Sequence, residues 1–300
     1  MSKAVGAPIH YQHCSGLTSG SCNFGSAPQI TLETGNAIAP RVEIWKCAQC
    51  GHGVTLPAMP DVAPLYEARG SEDFLTRDGI AVRALKQRAF TKLAHALVAH
   101  LPTKPQLIVD FGIGNGMLAS CLADAVSAEC HVYGLDFFPE APGSIGRASY
   151  RSFSQASDLH GMVDLLTCFH VLEHDDDSDM MLGKLLAFLR PGGTLVVEVP
   201  NMDCVWTPWF GKSCANWYAP FHRVHFSRRS LHGLFERHRL LVVAEQDICG
   251  PTFALSFATL LGVKPSGFLF AISAALRPLQ WLAEKLTQRP SALRIIARKP

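Results

Sequence analysis

The chain has 300 residues, 48% of them hydrophobic and 17% charged, with a formal net charge of +2. That composition describes a globular chain with one substantial core and room for a small appendage, not a disordered one. Near-neutral charge without a basic run argues against a nucleic-acid partner. The opening MSKAVGAPIHYQHC lacks the apolar run of a secretory signal, so a cytoplasmic location is expected.

Ten cysteines in such a chain point to reduced thiols or a metal rather than a disulfide framework. Residues 1–60 are rich in Gly, Ser, Thr and Pro, with short strand-like pieces such as Arg41–Trp45, and read as a small Cys-rich module. Cys47-Ala-Gln-Cys50-Gly51 is a knuckle that sets two thiolates at tetrahedral metal spacing. Cys14 and Cys22 supply the expected second pair, with His10 and His13 as substitutes. The alternatives are a structural zinc ribbon and a ribbon that has lost its metal. Residues 61–104 form a connection in which Tyr66 and Phe74 precede an amphipathic helix from Ile80 to Leu101. Its apolar positions Val82, Leu85, Ala89, Leu93, Leu97 and Leu101 repeat with a 3.6-residue period, and Pro102 and Pro105 stop it.

Residues 105–300 read as a Rossmann-like domain. Leu107–Gly116, LIVDFGIGNG, is a short apolar strand ending in a carboxylate, then three alternate glycines, then a helix from Met117 to Ala128. A glycine turn lets backbone approach a ligand. Gly114-x-Gly116-x-x-Ala119 also fits a permissive dinucleotide fingerprint, the basis of an oxidoreductase alternative. Asp110 argues against it: a strand-tip carboxylate would oppose a pyrophosphate but would welcome a cationic ammonium such as that of S-adenosylmethionine. A second strand, His131–Leu135, ends at Asp136. This acid lies 26 residues beyond Asp110, suited to paired ribose hydroxyls, with Phe137 placed to lie against adenine. Ala148–Phe153 and Val163–Phe169 read as the third and fourth strands. Phe169 and His170 at the fourth strand's tip are further cofactor candidates. An acidic cluster, Asp175–Asp177, precedes a helix Asp179–Leu189, which stops at Arg190-Pro-Gly-Gly193 before a fifth strand Thr194–Val199.

Asp110-x-Gly-x-Gly-x-Gly116, His170-Val-Leu-Glu-His174 and Leu189-Arg-Pro-Gly-Gly-Thr-Leu-Val-Val-Glu-Val-Pro-Asn201, in that order, resemble class I S-adenosylmethionine-dependent methyltransferases. The similarity is greatest to the small-molecule branch in which a Cys-rich ribbon precedes the catalytic domain. It runs from about Cys47 to the C-terminus, and the irregular first cysteine pair departs from it. The resemblance implies a seven-stranded α/β sheet with its last strand, Ser291–Ala297, antiparallel, S-adenosylmethionine as cofactor, and a small-molecule acceptor. It also places the His222-x-x-His225-Phe-Ser segment beside the substrate.

Asn201–Phe226 forms an aromatic substrate loop holding three tryptophans, with Ser227 or Ser230 capping a helix Leu231–His238 and a sixth strand, Leu240–Asp247, after it. Gly250–Gln288 is an apolar helical insertion, and its runs fall short of the roughly 20 residues a membrane span requires. It reads as a helical pair covering the site or forming a dimer face, with peripheral lipid contact as the other reading. Together the loop and the insertion are expected to roof an apolar pocket whose polar anchors are Glu173, His174, His222, Arg223 and His225. For a hydroxyl or acidic-carbon acceptor a histidine base is expected: His225 first, then His222, with His174 and His170 behind them. A non-catalytic cofactor-binding protein on the same fold is the third reading.

Overall fold

In the computed structural model, residues 22–59, 61–67, 79–138, 140, 141, 143, 145–263 and 267–300 are described. Cys14, His10, His13, Phe74 and Lys264 lie outside them. Strands β1 (Ile30–Glu33), β2 (Arg41–Lys46) and β3 (Gly53–Leu56) come first, followed by helices α1 (Ala63–Glu67) and α2 (Ile80–Ala99). Then come β4 (Leu107–Phe111), α3 (Met117–Ala125), β5 (His131–Asp136), β6 (Ser149–Ser152), β7 (Val163–Phe169), α4 (Ser178–Phe188) and β8 (Leu189–Pro200), with α3 and α4 as crossover helices. The remainder comprises α5 (Trp206–Phe210), β9 (Val224–His225), α6 (Arg228–Arg237), β10 (Leu241–Ile248), α7 (Thr252–Leu261), α8 (Gly267–Thr287) and β11 (Ala292–Arg298).

The seven-stranded sheet has the order β10-β11-β8-β7-β4-β5-β6. β4 pairs parallel with both β5 and β7, whereas β11 runs antiparallel between β8 and β10. The strand order reverses beside β4, so the C-terminal ends of β4 and its neighbours open a crevice there. Strand alternation sorts the core onto two faces. Ile108, Leu165, Val196 and Ile296 pack under α2 and α3, while Val109, Leu166 and Val197 pack under α4 and α6.

One local expectation changes, and two helix caps fall where they were expected. Arg190–Gly193 does not separate helix from strand: β8 begins at Leu189, and its pairing with β7 shifts so that these residues bulge between Val163↔Leu189 and Leu165↔Thr194. The helix after the fourth strand is capped by Asp177, which accepts from Met180 N at 2.9 Å. Similarly, Ser227 caps α6 in a reciprocal box with Ser230.

The N-terminal strands are tied to the large domain. β9, from the aromatic loop, pairs antiparallel with β3 and completes a four-stranded sheet. Trp206 and Trp217 fill its apolar face together with Leu32, Val42 and Ile44. These aromatics therefore form a second core between sheet and loop.

Candidate active site

Sequence and backbone dictate the loop after β4. Gly112, Gly114 and Gly116 have φ of +73°, +55° and +77°, a region costly for any side chain bearing Cβ. Each glycine is needed for a different reason. A Cβ on Gly112 would meet Val171 Cγ2 at 2.2 Å, and one on Gly116 would meet Ile145 Cγ2 at 2.4 Å. At Gly114 the nearest atom would be Gly112 O at 3.9 Å, so that backbone faces open space. Gly116, expected to touch cofactor, thus has a packing reason of its own as the residue preceding α3.

A cavity of about 590 Å³ adjoins this loop, lined by Asp110, Gly112, Gly114, Phe169 and His170 together with Glu198, Arg294 and the α2 residues Phe90, Leu93 and Leu97. Five of the eight expected cofactor residues therefore share one cavity. Asp136 ends β5, and its carboxylate accepts from Phe137 N at 2.7 Å. Phe137 is exposed, with its edge toward Phe111 at a centroid distance of 5.7 Å. Asp110 is buried, and Thr167 Oγ1 donates to it at 2.6 Å. Burial, opposed by that hydrogen bond and reinforced by the Asp136 charge, raises the Asp110 carboxyl to about 7. An apolar site that holds a carboxylate at this balance suits a cationic ligand group.

Beyond the cavity the polar groups form a relay. His170, at φ +56°, places Nε2 3.1 Å from Glu198 Oε1 and Nδ1 3.3 Å from Glu173 Oε1. Desolvation lowers the His170 pKa, but the ion pairs with Glu173 and Glu198, the latter also hydrogen-bonded, more than reverse this and raise it to about 10. His170 is therefore a cation at neutral pH and not a base. Arg294 binds Glu198 through Nε at 2.8 Å, with its guanidinium 5.0 Å above the Phe169 ring. Glu198 and Arg294, facing residues on β8 and β11, were missed from sequence because each looked like one polar residue in an apolar strand.

Glu173 is 1% exposed, and neither carboxylate oxygen makes a well-formed hydrogen bond. His174 and His222 flank it, with one ligand atom from each of the three residues within 4.8 Å of the others. His222 Nδ1 lies 2.9 Å from the Asn216 carbonyl, which can only accept, so Nδ1 carries the proton and the Nε2 lone pair faces Glu173 at 3.8 Å. His174 Nδ1 lies 2.6 Å from the Tyr66 hydroxyl, which can donate to it or accept from it, and 3.1 Å from the Phe221 carbonyl. Burial and the neighbouring histidines push His222 well below the ordinary imidazole value.

None of the expected polar anchors Glu173, His174, His222, Arg223 and His225 lines the cavity, and His225 and Arg223 face another way altogether. His225 belongs to β9, is 4% exposed, and meets Thr55 Oγ1 at 2.9 Å; burial pushes it down to about 3. Arg223 is wholly buried and clamps Asp176 together with the Thr55 and Pro57 carbonyls. Both join the N-terminal sheet to the domain, because β9 turns their side chains into that seam. Among the described residues, none of α7, α8 or the aromatic loop lines the cavity; α2 supplies the apolar wall. Trp206 and Trp217 have their apolar surface satisfied against β1 and β2 instead, while Trp209 is exposed.

At the N-terminal knuckle, Cys22, Cys47 and Cys50 bring their sulfurs within 4.8 Å of one another, and Cys22 Sγ lies 3.9 Å from Cys50 Sγ. Thiolates about 2.3 Å from a tetrahedral zinc stand about 3.8 Å apart, so the three fit that ion. Asn23 N and His52 N donate to Cys47 and Cys50 sulfurs at 3.3 and 3.4 Å, which favours thiolates. Gly51, at φ +71°, permits close approach of Ser227, whose hydroxyl donates to Cys50 O at 2.6 Å.

This sheet order, with a glycine-cradled cavity at the tip of its central strand, defines the class I methyltransferase fold. The chain belongs to the methyltransferase-domain family, whose model matches residues 82–245, and S-adenosylmethionine is its cofactor. The match decides against the dinucleotide reading of the glycine loop. The chain is 28% identical over 108 residues to a ubiquinone biosynthesis O-methyltransferase of Aromatoleum aromaticum, covering 32% of this chain and 44% of that protein. It is 29% identical over 179 residues to a trans-aconitate 2-methyltransferase of Pseudomonas aeruginosa, covering 55% of this chain and 64% of the relative. The chain thus spans about half the length of these relatives. A chain in the complex of the Haloferax volcanii Trm112 methyltransferase activator shares the fold, with a TM-score of 0.50, 17% identity, and coverage of 80% of this chain and 98% of that one.

Proposed function

We propose that the chain transfers the methyl group of S-adenosylmethionine to a small molecule with an apolar body and a hydroxyl or acidic carbon, such as a lipid-linked or natural-product sugar. The observation that carries this reading is the cavity itself: an open glycine backbone and a buried carboxylate on one side, an apolar α2 wall on the other. Asp110, Gly112, Gly114 and Asp136 would hold the cofactor, Phe137 would cover its adenine, and Phe169 and His170 would flank its amino-acid end. When bound, the cofactor supplies an electrophilic methyl group for in-line displacement. The protein's tasks are to orient the acceptor, exclude water and accept a proton.

His174 is the proposed base. Its ring is half-buried beside Glu173, its Nδ1 meets the Tyr66 hydroxyl at 2.6 Å, and the neighbouring Glu173–His222 contact is an acceptor facing an acceptor. A proton entering this cluster would be shared between Glu173 and an imidazole, which stabilises the charged product of proton abstraction. His170, held cationic, suits an anionic oxygen on the cofactor or acceptor. The ubiquinone and trans-aconitate relatives are both methyltransferases named for small molecules, which supports this acceptor class. Mass spectrometry of acceptor extracts incubated with labelled cofactor and the purified protein tests it. Methylated protein or nucleic acid as the sole product would refute it.

Binding of the cofactor should depend on pH through Asp110. In the free protein its carboxyl is raised to about 7, so it is protonated below that pH and must ionise to pair with an ammonium. Affinity is expected to rise as pH increases from 5.5 to 7.5, by up to about tenfold per unit, and then level off. The same raised pKa means that Asp110 binds more protons folded than unfolded between about 4 and 7, so its contribution to stability declines as pH rises through that window. Calorimetry across the range checks this; Asp110→Asn should bind more weakly and flatten the profile, and an equally steep profile in the variant would assign the dependence elsewhere.

The N-terminal knuckle is proposed to hold one structural zinc through Cys22, Cys47 and Cys50, the fourth ligand coming from outside the described residues. Elemental analysis of protein purified without chelator should find one zinc per chain, lost in Cys47→Ser/Cys50→Ser. A zinc-free wild type, or unchanged metal in the double variant, would mean a ribbon held by packing alone. Because Cys50 O anchors Ser227, metal loss should also lower the thermal midpoint of the whole chain.

A further inference from the structure

We infer that the α7–α8 pair is a docking surface for an anionic lipid bilayer. Ten of the twenty exposed large apolar side chains among the described residues fall between Leu255 and Leu286. A concentration of this kind marks an interaction face, whereas scattered single exposures do not. On α8, Ile272, Leu279, Leu282 and Leu286 are spaced for one side of the helix, opposite the buried Gln280 and Glu284. The pair is fixed from beneath. Glu284 accepts from Trp206 Nε1 at 2.8 Å, from Gln280 at 2.7 Å and from Ser291 N at 3.0 Å, and Thr252 Oγ1 donates to Asn216 at 3.0 Å. Phe253 packs edge-on against Trp206 at 4.9 Å. The polar and aromatic groups that hold the pair thus point inward, and its apolar side is presented outward on a rigid base.

Charge selects the occupant. Between Thr252 and Thr287 the described charged residues are Arg277, Glu284 and Lys285. Glu284 is buried, so only the two cations face solvent. Lys285 lies beside the apolar stripe of α8, three residues from Leu282, where a long basic side chain reaches phosphates while its stem lies on hydrocarbon; Arg277, on the side of Gln280, donates to the Cys249 carbonyl at 3.0 Å. Trp281 is exposed between them, with Lys285 Nζ 6.0 Å from its ring centroid, an aromatic suited to the headgroup boundary. No helix among the described residues is long and apolar enough to cross a membrane, so the contact is peripheral. This surface does not depend on the proposed acceptor, but it would bring the cavity to a lipid-linked one.

Co-sedimentation of the full chain with vesicles of phosphatidylcholine, with or without phosphatidylglycerol, tests the inference. The wild type should bind the anionic vesicles at low salt at least tenfold better than the neutral ones and shift its tryptophan emission to shorter wavelength. Leu279→Glu/Leu286→Glu should lose this binding while keeping cofactor affinity, and Lys285→Glu should weaken it with a reduced salt dependence. Equal binding to neutral vesicles, or unchanged binding in the double variant, would overturn the proposal. So would a dimer that the double variant dissociates, without vesicle binding by the wild type. Cofactor affinity is read separately by calorimetry, so loss of lipid binding is distinguished from loss of the methyltransferase site.

Discussion

Replacing His174 by Gln is expected to lower turnover on the acceptor by about a hundredfold or more, with cofactor affinity unchanged. Glutamine preserves much of the ring's volume but has no basic nitrogen, so the loss reports proton transfer rather than packing. Glu173→Gln should produce a similar loss: it removes the charge that would stabilise a protonated imidazole and leaves a buried amide among histidines. His225→Gln is the informative contrast. That residue lies in the seam with β3, where its ring meets Thr55 Oγ1 and packs 5.4 Å from Trp217. Its replacement should cost about 1–3 kcal/mol of stability through an unpaired buried group and leave turnover near wild type. Denaturation and steady-state kinetics on the same preparations separate the two. Full turnover in His174→Gln with loss in His225→Gln would return the base to β9.

The second large effect concerns the glycine loop, where two neighbouring substitutions should fail for different reasons. Gly112→Ala forces a methyl to 2.2 Å from Val171 Cγ2 at φ +73°. Left-handed backbone costs about 1–2 kcal/mol and overpacking about 1–3 kcal/mol, so the fold itself should lose about 2–5 kcal/mol. Gly114→Ala meets only open space, so its stability loss should be confined to the backbone contribution of about 1–2 kcal/mol. Its methyl nevertheless occupies volume that the cofactor is proposed to use, and affinity should fall more than tenfold. Thermal denaturation and calorimetry read the two quantities independently. Wild-type cofactor affinity in Gly114→Ala would remove the loop from the site.

The two substitutions also show how far the linear chain can be read. Three alternate glycines after an apolar strand announce a turn at positive φ, since no other residue adopts it cheaply. That Gly112 and Gly116 are required by Val171 and Ile145, and Gly114 by open space, depends on residues 29 to 59 positions from each partner and on how β7 and the loop before β6 return to β4. The strand spans were legible because buried strands and amphipathic helices leave periodic signatures, whereas the antiparallel final strand followed from the resemblance of the ordered motifs to class I methyltransferases. Asp110, Asp136 and the knuckle at Cys47 and Cys50 were legible because motif chemistry is local.

The loop Asn201–Phe226 was not legible in this way. Its aromatics and its His-x-x-His segment give no signal of which surface they face, because alternation in a two-residue strand is too short to assign a side. The tertiary structure decided it: β9 joins β3, Trp206 and Trp217 turn into the core with Leu32 and Ile44, and His225 and Arg223 become buried struts. The same pairing leaves His174, Glu173 and His222 together near the cavity, although His222 comes from the loop and the others follow β7. Sequence alone thus determined the class of fold and named five residues, Asp110, Gly112, Gly114, Phe169 and His170, that share one cavity because they stand at the tips of neighbouring strands. Which histidine can accept a proton was decided by long-range packing, since burial and hydrogen-bond partners set imidazole basicity and only the folded chain supplies them.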